Sequence, residues 1–421
     1  MKVLVIGSGG REHAIIWKLS QSRVVDRIYC APGNAGISEI AECIEVESKN
    51  LSAFVDFVKY EWIDLTVVGP EEPLAKGIVD LFLKEGRKII GPTKAGAQIE
   101  GSKVFAKEFM KRYKIPTAKY QVFNSYKHAE EYIRLKGAPI VIKADGLAAG
   151  KGVFIAKTHD EAMDALKLIM KEKLFGPAGD RVVIEEYLQG QEVSYLVFTD
   201  GKTIVPMVTS KDHKRLLDND EGPNTGGMGT FSPNPIITPE LEKEILETVI
   251  QPTIMGLRAE GIIYKGILYA GLMIVNGKPY VLEFNCRFGD PETQVILPRL
   301  ETDIIDIFMS ISEQRLSKVN VKWKDGASLC VILASHGYPG TYKKGIPISG
   351  LEMVKRLKDV MVFHSGTGFD EEGKIVTDGG RVLGITALGE DLKDARNKVY
   401  NAIELIHFDG MQYRKDIGLT I

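Results

Sequence analysis

The stretch KADGLAAGKGVFIAK, residues 143–157, places Lys143 and Lys151 around Gly146, Gly150 and Gly152, between short apolar runs. Backbone N–H groups made accessible by glycine, together with ammonium groups, suit the binding of phosphate. The stretch is not a P-loop. Only three residues separate Gly146 from Gly150, Lys151 is followed by glycine, and a strand pattern comes next where a P-loop opens a helix. It reads as a glycine-rich hairpin lying over a nucleotide. A second stretch, VLEFNCRFGDPE (281–292), has the alternation of a strand. Period-two geometry expects Val281, Glu283 and Asn285 on one face, with Leu282, Phe284 and Cys286 on the other, toward the core. A carboxylate and an amide oxygen are hard ligands suited to Mg²⁺ carrying substrate phosphates, and Arg287 follows as a candidate stabiliser of transferring charge.

A third stretch runs from Asp212, His213 and Lys214 to Asn224, Thr225, Gly226, Gly227, Met228 and Gly229. So many glycines point to close ligand approach, and the segment reads as a substrate-binding loop. The fourth is GSGGRE, residues 7–12. Gly7 and Gly9 match the start of a dinucleotide fingerprint, but Glu12 holds the third position, and the second strand ends in CAPGN without an acidic residue. NAD is disfavoured. A helix N-terminus at Gly9, Gly10 and Arg11 still suits an anion. His13 reads as a packing residue, and His336 and His364 receive no role. Cys30, Cys43, Cys286 and Cys330 lack metal-ligand spacing and read as reduced core thiols.

These residues need elements to hold them. Over residues 1–100, apolar runs at 2–7, 27–31, 65–69 and 88–91 alternate with helical patterns near 12–20, 51–60 and 74–85. That rhythm expects a parallel sheet with ligands at its carboxyl edge. Residues 191–290 read as antiparallel hairpins, with Asp200-Gly201 and Asn276-Gly277 at two turns. Short strands and a closing helix near 391–406 make a last domain, and boundaries are expected near residues 100 and 325. The 54 basic and 56 acidic residues give a formal charge of −2, so nothing global argues for nucleic acid. The N-terminus lacks the apolar run of a signal peptide and no 18-residue apolar stretch occurs, which expects a cytoplasmic protein without a membrane span.

In this order and spacing, VLVIGSGGREHA, KADGLAAGKGV, DHKRLLDNDEGPNTGGMG, LEFNCRFGDPE and GGRVLGITALG resemble the phosphoribosylamine–glycine ligases, ATP-grasp enzymes of purine biosynthesis, over essentially the whole chain. The resemblance implies a multidomain α/β and α+β architecture. It comprises an N-terminal parallel α/β domain (1–100), an ATP-grasp domain (101–325) with a mobile lid at about 120–190, and a small C-terminal α/β domain (326–421). It implies phosphate contacts from Lys103 and Lys143, an adenine hinge around Glu185, Glu186 and Leu188, ribose contacts from Glu192, and metal ligation by Glu283 and Asn285. Glu71 joins the substrate side. The implied substrates are ATP, glycine and 5-phosphoribosylamine, with Mg²⁺ or Mn²⁺ as cofactor and neither nucleic acid nor membrane as partner. One departure stands out: relatives in the wider superfamily carry another acidic metal ligand on the preceding strand, where Ala270 and Gly271 stand here. For the ribose phosphate three places compete: residues 9–11, residues 224–229, and Arg381 after Gly379 and Gly380. Arg381 is favoured, with Lys374 a weaker companion.

Overall fold

The computed structural model describes residues 1–46, 50–147 and 152–419. The first apolar run forms strand β1 (Lys2–Gly7), flanked in parallel by β2 (Arg27–Pro32) and β4 (Leu65–Val68). With β3 (Glu42–Cys43) and β5 (Ile89–Ile90) the order is β3-β2-β1-β4-β5. Helix α1 (Gly10–Leu19) begins where β1 ends, beside the point at which the strand order reverses. Such a crevice ordinarily takes a ligand. After α2 (Leu51–Tyr60), the third helical pattern is broken at Gly77, whose φ of +91° splits it into α3 (Glu71–Lys76) and α4 (Ile78–Lys84).

Helices α5 (Lys94–Gly101) and α6 (Lys103–Arg112) lead to a small antiparallel sheet, β6-β9-β7-β8. Its strands are β6 (Tyr120–Phe123), β7 (Ile140–Ala144), β8 (Val153–Ala156) and β9 (Val182–Glu186). One face is covered by α7 (Tyr126–Lys136) and α8 (His159–Met170), where Ile140, Ile142, Ile133 and Leu166 share a core. Alternation turns Val141 and Lys143 to the other face, onto the site.

A second antiparallel sheet has the order β11-β10-β16-β17, from β10 (Gln191–Thr199), β11 (Ile204–Pro206), β16 (Gly266–Val275) and β17 (Lys278–Asn285). The Asn276-Gly277 turn joins β16 to β17 with φ of +51° and +77°, the left-handed pair that a two-residue hairpin requires. The third antiparallel sheet takes in residues from both sides of position 325. Strands β12 (Lys211–Asp212) and β15 (Gly229–Ser232) pair onto β18 (Ala327–Ser335), followed by β22 (Arg381–Gly389) and β19 (Val360–His364). Between them, β13 (Arg215–Leu217) and β14 (Glu221–Asn224) form one ribbon, and β20 (Thr367–Phe369) and β21 (Ile375–Thr377) another. The helix Leu392–Ile403 covers this sheet. No described helix is long and apolar enough to cross a membrane.

Candidate active site

A cavity of ≈ 530 Å³ lies where the four main sheets and α5–α6 meet. At one end the small sheet supplies lysines. The Lys143 ammonium donates to the Leu282 carbonyl at 3.0 Å and lies 3.0 Å from Glu185 Oε1, while Lys107 lies 3.1 Å from Glu185 Oε2. The Lys143–Glu185 approach satisfies charge without hydrogen-bond alignment, since Oε1 has no hydrogen-bond partner. All three side chains are buried, so one carboxylate neutralises two cations. Burial pulls the Lys107 ammonium down to about 8, with Glu185 opposing. Glu185, expected at the adenine hinge, thus commits its carboxylate to these lysines. Lys103 donates to the Gly146 carbonyl at 3.0 Å. Asp145 Oδ1 accepts from Ser102 Oγ (2.9 Å) and the Val104 N–H (3.1 Å), fastening the base of the glycine hairpin to the start of α6. Gly146, Gly152, Glu186, Leu188 and Glu192 line the cavity, and Val141, Ile155, Met110 and Ala118 give its apolar wall. Gly150 and Lys151 lie outside the described residues.

In the middle stand the two oxygen donors. The β16–β17 register shifts between Gly271 and Leu272, so Gly271 faces Glu283 while Leu272 already faces Val281. Leu282 is the extra residue of this bulge. The expectation for residues 281–286 is corrected accordingly: Val281 is core, Leu282 lines the cavity, and Glu283 and Asn285 remain on the cavity side. Burial would raise the Glu283 pKa, but Lys214, Lys143, Lys103 and Arg287 outweigh it and hold the carboxyl below its ordinary value. Asn285 Oδ1 accepts from Arg287 Nη2 at 3.1 Å. The same guanidinium lies 2.9 Å from Glu100 Oε1 and 3.3 Å from Glu71 Oε2. Burial works against its charge, yet Glu100 and then Glu71 raise its pKa. Among the described residues no group of three or more His, Cys, Asp or Glu side chains is gathered for a metal. Two hard oxygens, with the remaining sphere left to phosphate and water, fit Mg²⁺. The residue facing Glu283 is Gly271, where a Cβ would come 3.3 Å from Glu283 Cγ; Ala270 is buried in the core.

The far end joins the first and last sheets. Arg381 lines the cavity, but its Nη1 donates to the Gly226 carbonyl (2.7 Å) and the Asp290 carbonyl (2.9 Å), and Nη2 is 3.4 Å from Asp290 Oδ1. Arg381 therefore clamps the glycine loop as well as facing the space. Asp212, Lys214, Asn224 and Thr225 line this end with Arg11 and Glu71. Glycines 226 and 227 have an internal reason. A Cβ at 226 would come 3.0 Å from the Arg381 guanidinium, and at 227, where φ is +113°, 2.5 Å from Pro291 and 2.6 Å from Asp212. Several expected binders stand off the lining. His213 is buried with its Nδ1 3.3 Å from the Gly229 carbonyl, Met228 is fully buried, and Gly10 packs toward Gln294 and Ser365. Gly9 donates its N–H to Glu12 Oε2 at 2.6 Å. Glu12 also accepts from Arg11 Nε (2.6 Å) and fills the crevice beside Gly7 and Gly69, where any Cβ would collide with it. A dinucleotide pyrophosphate has no room there.

Three descriptions of phosphoribosylglycinamide synthetase match the sequence: its N domain over residues 1–100, its ATP-grasp (A) domain over 101–293 and its C domain over 328–420. The chain is 52% identical over 418 residues to the phosphoribosylamine–glycine ligase of Caldanaerobacter subterraneus subsp. tengcongensis, with 99% of each covered. The chain belongs to the phosphoribosylamine–glycine ligase family. The ligase of Haemophilus influenzae is 51% identical over 421 residues, spanning 99% of this chain and 98% of its own. The crystal structure of the Thermotoga maritima ligase superposes with a TM-score of 0.86 at 36% identity, covering 99% of this chain and all of that one. A biotin carboxylase complex from Campylobacter jejuni shares the fold, with a TM-score of 0.75 at 15% identity over 100% of this chain and 94% of its own.

In and around this cavity, sequence reasoning passed over Lys107, Glu100, Asp145 and the group around Glu292. Glu292 Oε1 accepts from Ser194 Oγ (2.9 Å) and the Tyr269 hydroxyl (2.7 Å). Glu292 closes the FGDPE segment, which was a visible signal. Ser194, opposite Gly271, and Tyr269, opposite Leu196, become diagonal neighbours only because β10 pairs with β16, and no local pattern carries that.

Proposed function

We propose that this cavity joins glycine to 5-phosphoribosylamine at the expense of ATP, giving glycinamide ribonucleotide, ADP and phosphate through a glycyl phosphate. The observation that carries the reading is the continuity of one cavity, from the Lys103–Lys143 end, past Glu283 and Asn285, to the Asp212–Arg381 end. A carboxylate resists attack by an amine because its leaving group is oxide or hydroxide. Phosphorylation supplies a better one. The chain's task is then positioning and charge neutralisation, and no side chain need become a nucleophile. Lys103 and Lys143 bind phosphate oxygens, and the apolar wall takes the adenine ring, with Glu192 on the ribose. Glu283 and Asn285 would hold Mg²⁺ or Mn²⁺, which supplies charge neutralisation on the β- and γ-phosphates. Arg287 keeps the Asn285 oxygen in place and adds positive field. The β7–β8 hairpin, which brings Gly146 and Gly152 to the cavity, would keep water from the acyl phosphate. The ribose phosphate lies between the first and last domains, near Arg11 and Arg381. The test is ADP release assayed with glycine, with and without phosphoribosylamine. Full turnover requires both, and equal release from a different amino acid would overturn the assignment of glycine.

A further inference from the structure

Asp212 belongs to no ion pair or hydrogen bond through its side chain in the described structure, although it lines the cavity and its Oδ1 is buried without a partner. Its neighbours differ in this respect. Glu292 is held by Ser194 and Tyr269, and Asp290 by the Arg11 N–H and Gln294 Nε2. A carboxylate oxygen buried without a partner is costly, so it calls for a function. Its place is informative. A Cβ on Gly227 would lie 2.6 Å from Asp212 Oδ1, so the carboxylate abuts the loop that Arg381 clamps, while Lys214, two residues on, reaches to within 3.8 Å of Glu192 on the ATP side. Asp212 therefore stands between the phosphoryl-transfer end and the end proposed for the ribose phosphate, where the acceptor amine must meet the activated carbonyl.

Resting on the ligase reading above, we propose that Asp212 is the base that takes the proton from the phosphoribosylamine nitrogen during acyl transfer. The amine lone pair forms the N–C bond to the glycyl carbonyl, and the C–O bond to phosphate breaks. Phosphate leaves with that electron pair, and one N–H proton passes to the Asp212 carboxylate. Burial and the adjacent Glu292 raise the Asp212 pKa well above its ordinary value, while Lys214 and Arg381 oppose and Glu192 adds to the rise. A carboxylate made more basic in this way is better matched to the task at neutral pH.

The test separates activation from transfer. Hydroxylamine traps glycyl phosphate as the hydroxamate and needs little help from a base. Asp212→Asn, nearly isosteric, should keep hydroxamate formation from ATP and glycine within about twofold of wild type. It should lose about 10²–10⁴-fold in glycinamide ribonucleotide formation, the usual worth of general-base catalysis. Asp212→Glu should recover part of the transfer. Parallel loss of both reactions, or unchanged transfer in Asp212→Asn, overturns the proposal. Failure of the wild-type enzyme to release ADP with glycine and phosphoribosylamine both present would instead overturn the ligase reading beneath it.

Discussion

Arg287 holds together parts of the site that come from three elements. Its guanidinium reaches Glu71 at the start of α3, Glu100 near the end of α5, and Asn285 at the end of β17. Removing one partner of a buried ion pair strands the other, at about 3–5 kcal/mol. Arg287→Ala should therefore lower the melting temperature as well as turnover. Arg287→Lys, which cannot reach several partners through a planar fork, should restore stability only in part. A wild-type melt for Arg287→Ala would show that Glu100 finds another partner. Glu283→Gln and Asn285→Ala should behave differently, with turnover falling sharply and the melt almost unmoved, since neither anchors the core. Activity measured across a Mg²⁺ titration distinguishes them: wild-type activity at limiting Mg²⁺ would remove that residue from the metal site.

At the scale of elements, local patterns were legible and pairings between distant segments were not. The β7–β8 strands, the Asn276-Gly277 hairpin and the parallel N-terminal rhythm follow from alternation and turn chemistry, which neighbouring residues encode. The β17 bulge is set by the register against β16, so strict alternation misassigned Val281 and Leu282. The 224–229 loop carried a glycine signal that has a packing cause as well: at residues 226 and 227, Arg381, Pro291 and Asp212 leave little room for a Cβ. That origin has a measurable consequence. Gly227→Ala meets both a left-handed φ of +113° and contacts of 2.5 and 2.6 Å, whereas Gly277→Ala meets a φ of +77° with nothing within 4 Å. Gly277→Ala should cost about 1 kcal/mol, the conformational penalty alone. Gly227→Ala should cost more in a denaturant titration and also impair transfer. Equal losses would argue that the loop yields freely.

Across the whole molecule, the first and last domains meet at a pair of histidines. The His364 backbone N–H donates to His13 Nδ1 at 2.9 Å, and His364 Nδ1 lies 3.1 Å from Thr367 Oγ1. Burial first, then the charge of His364, lowers the His13 pKa to about 3; burial and Lys355 lower that of His364 to about 4. The unfolded chain takes up these protons near pH 6.5 and the folded chain does not, so stability is full above 6.5 and falls as the solution is acidified toward those values. Each histidine contributes a loss of about 1.4 kcal/mol per pH unit in that range. Denaturant titrations at pH 7.5 and 5.0 should show this, and His13→Gln should remove the His13 share of the difference while leaving that of His364. An unchanged slope would place the acid sensitivity elsewhere.

The pairing of β15 with β18 bears on how the chain could be divided. A fragment beginning at residue 326 would retain β18 with β22 but leave the side that β15 covers as a bare row of amide and carbonyl groups. Bare edges of this kind recruit other copies. The isolated fragment should therefore precipitate or self-associate on expression, and remain dispersed when extended upstream to carry residues 211–232. The composition change near 325 is where the sequence leads one to expect a boundary, and a scissor cut there would separate two halves of a single sheet.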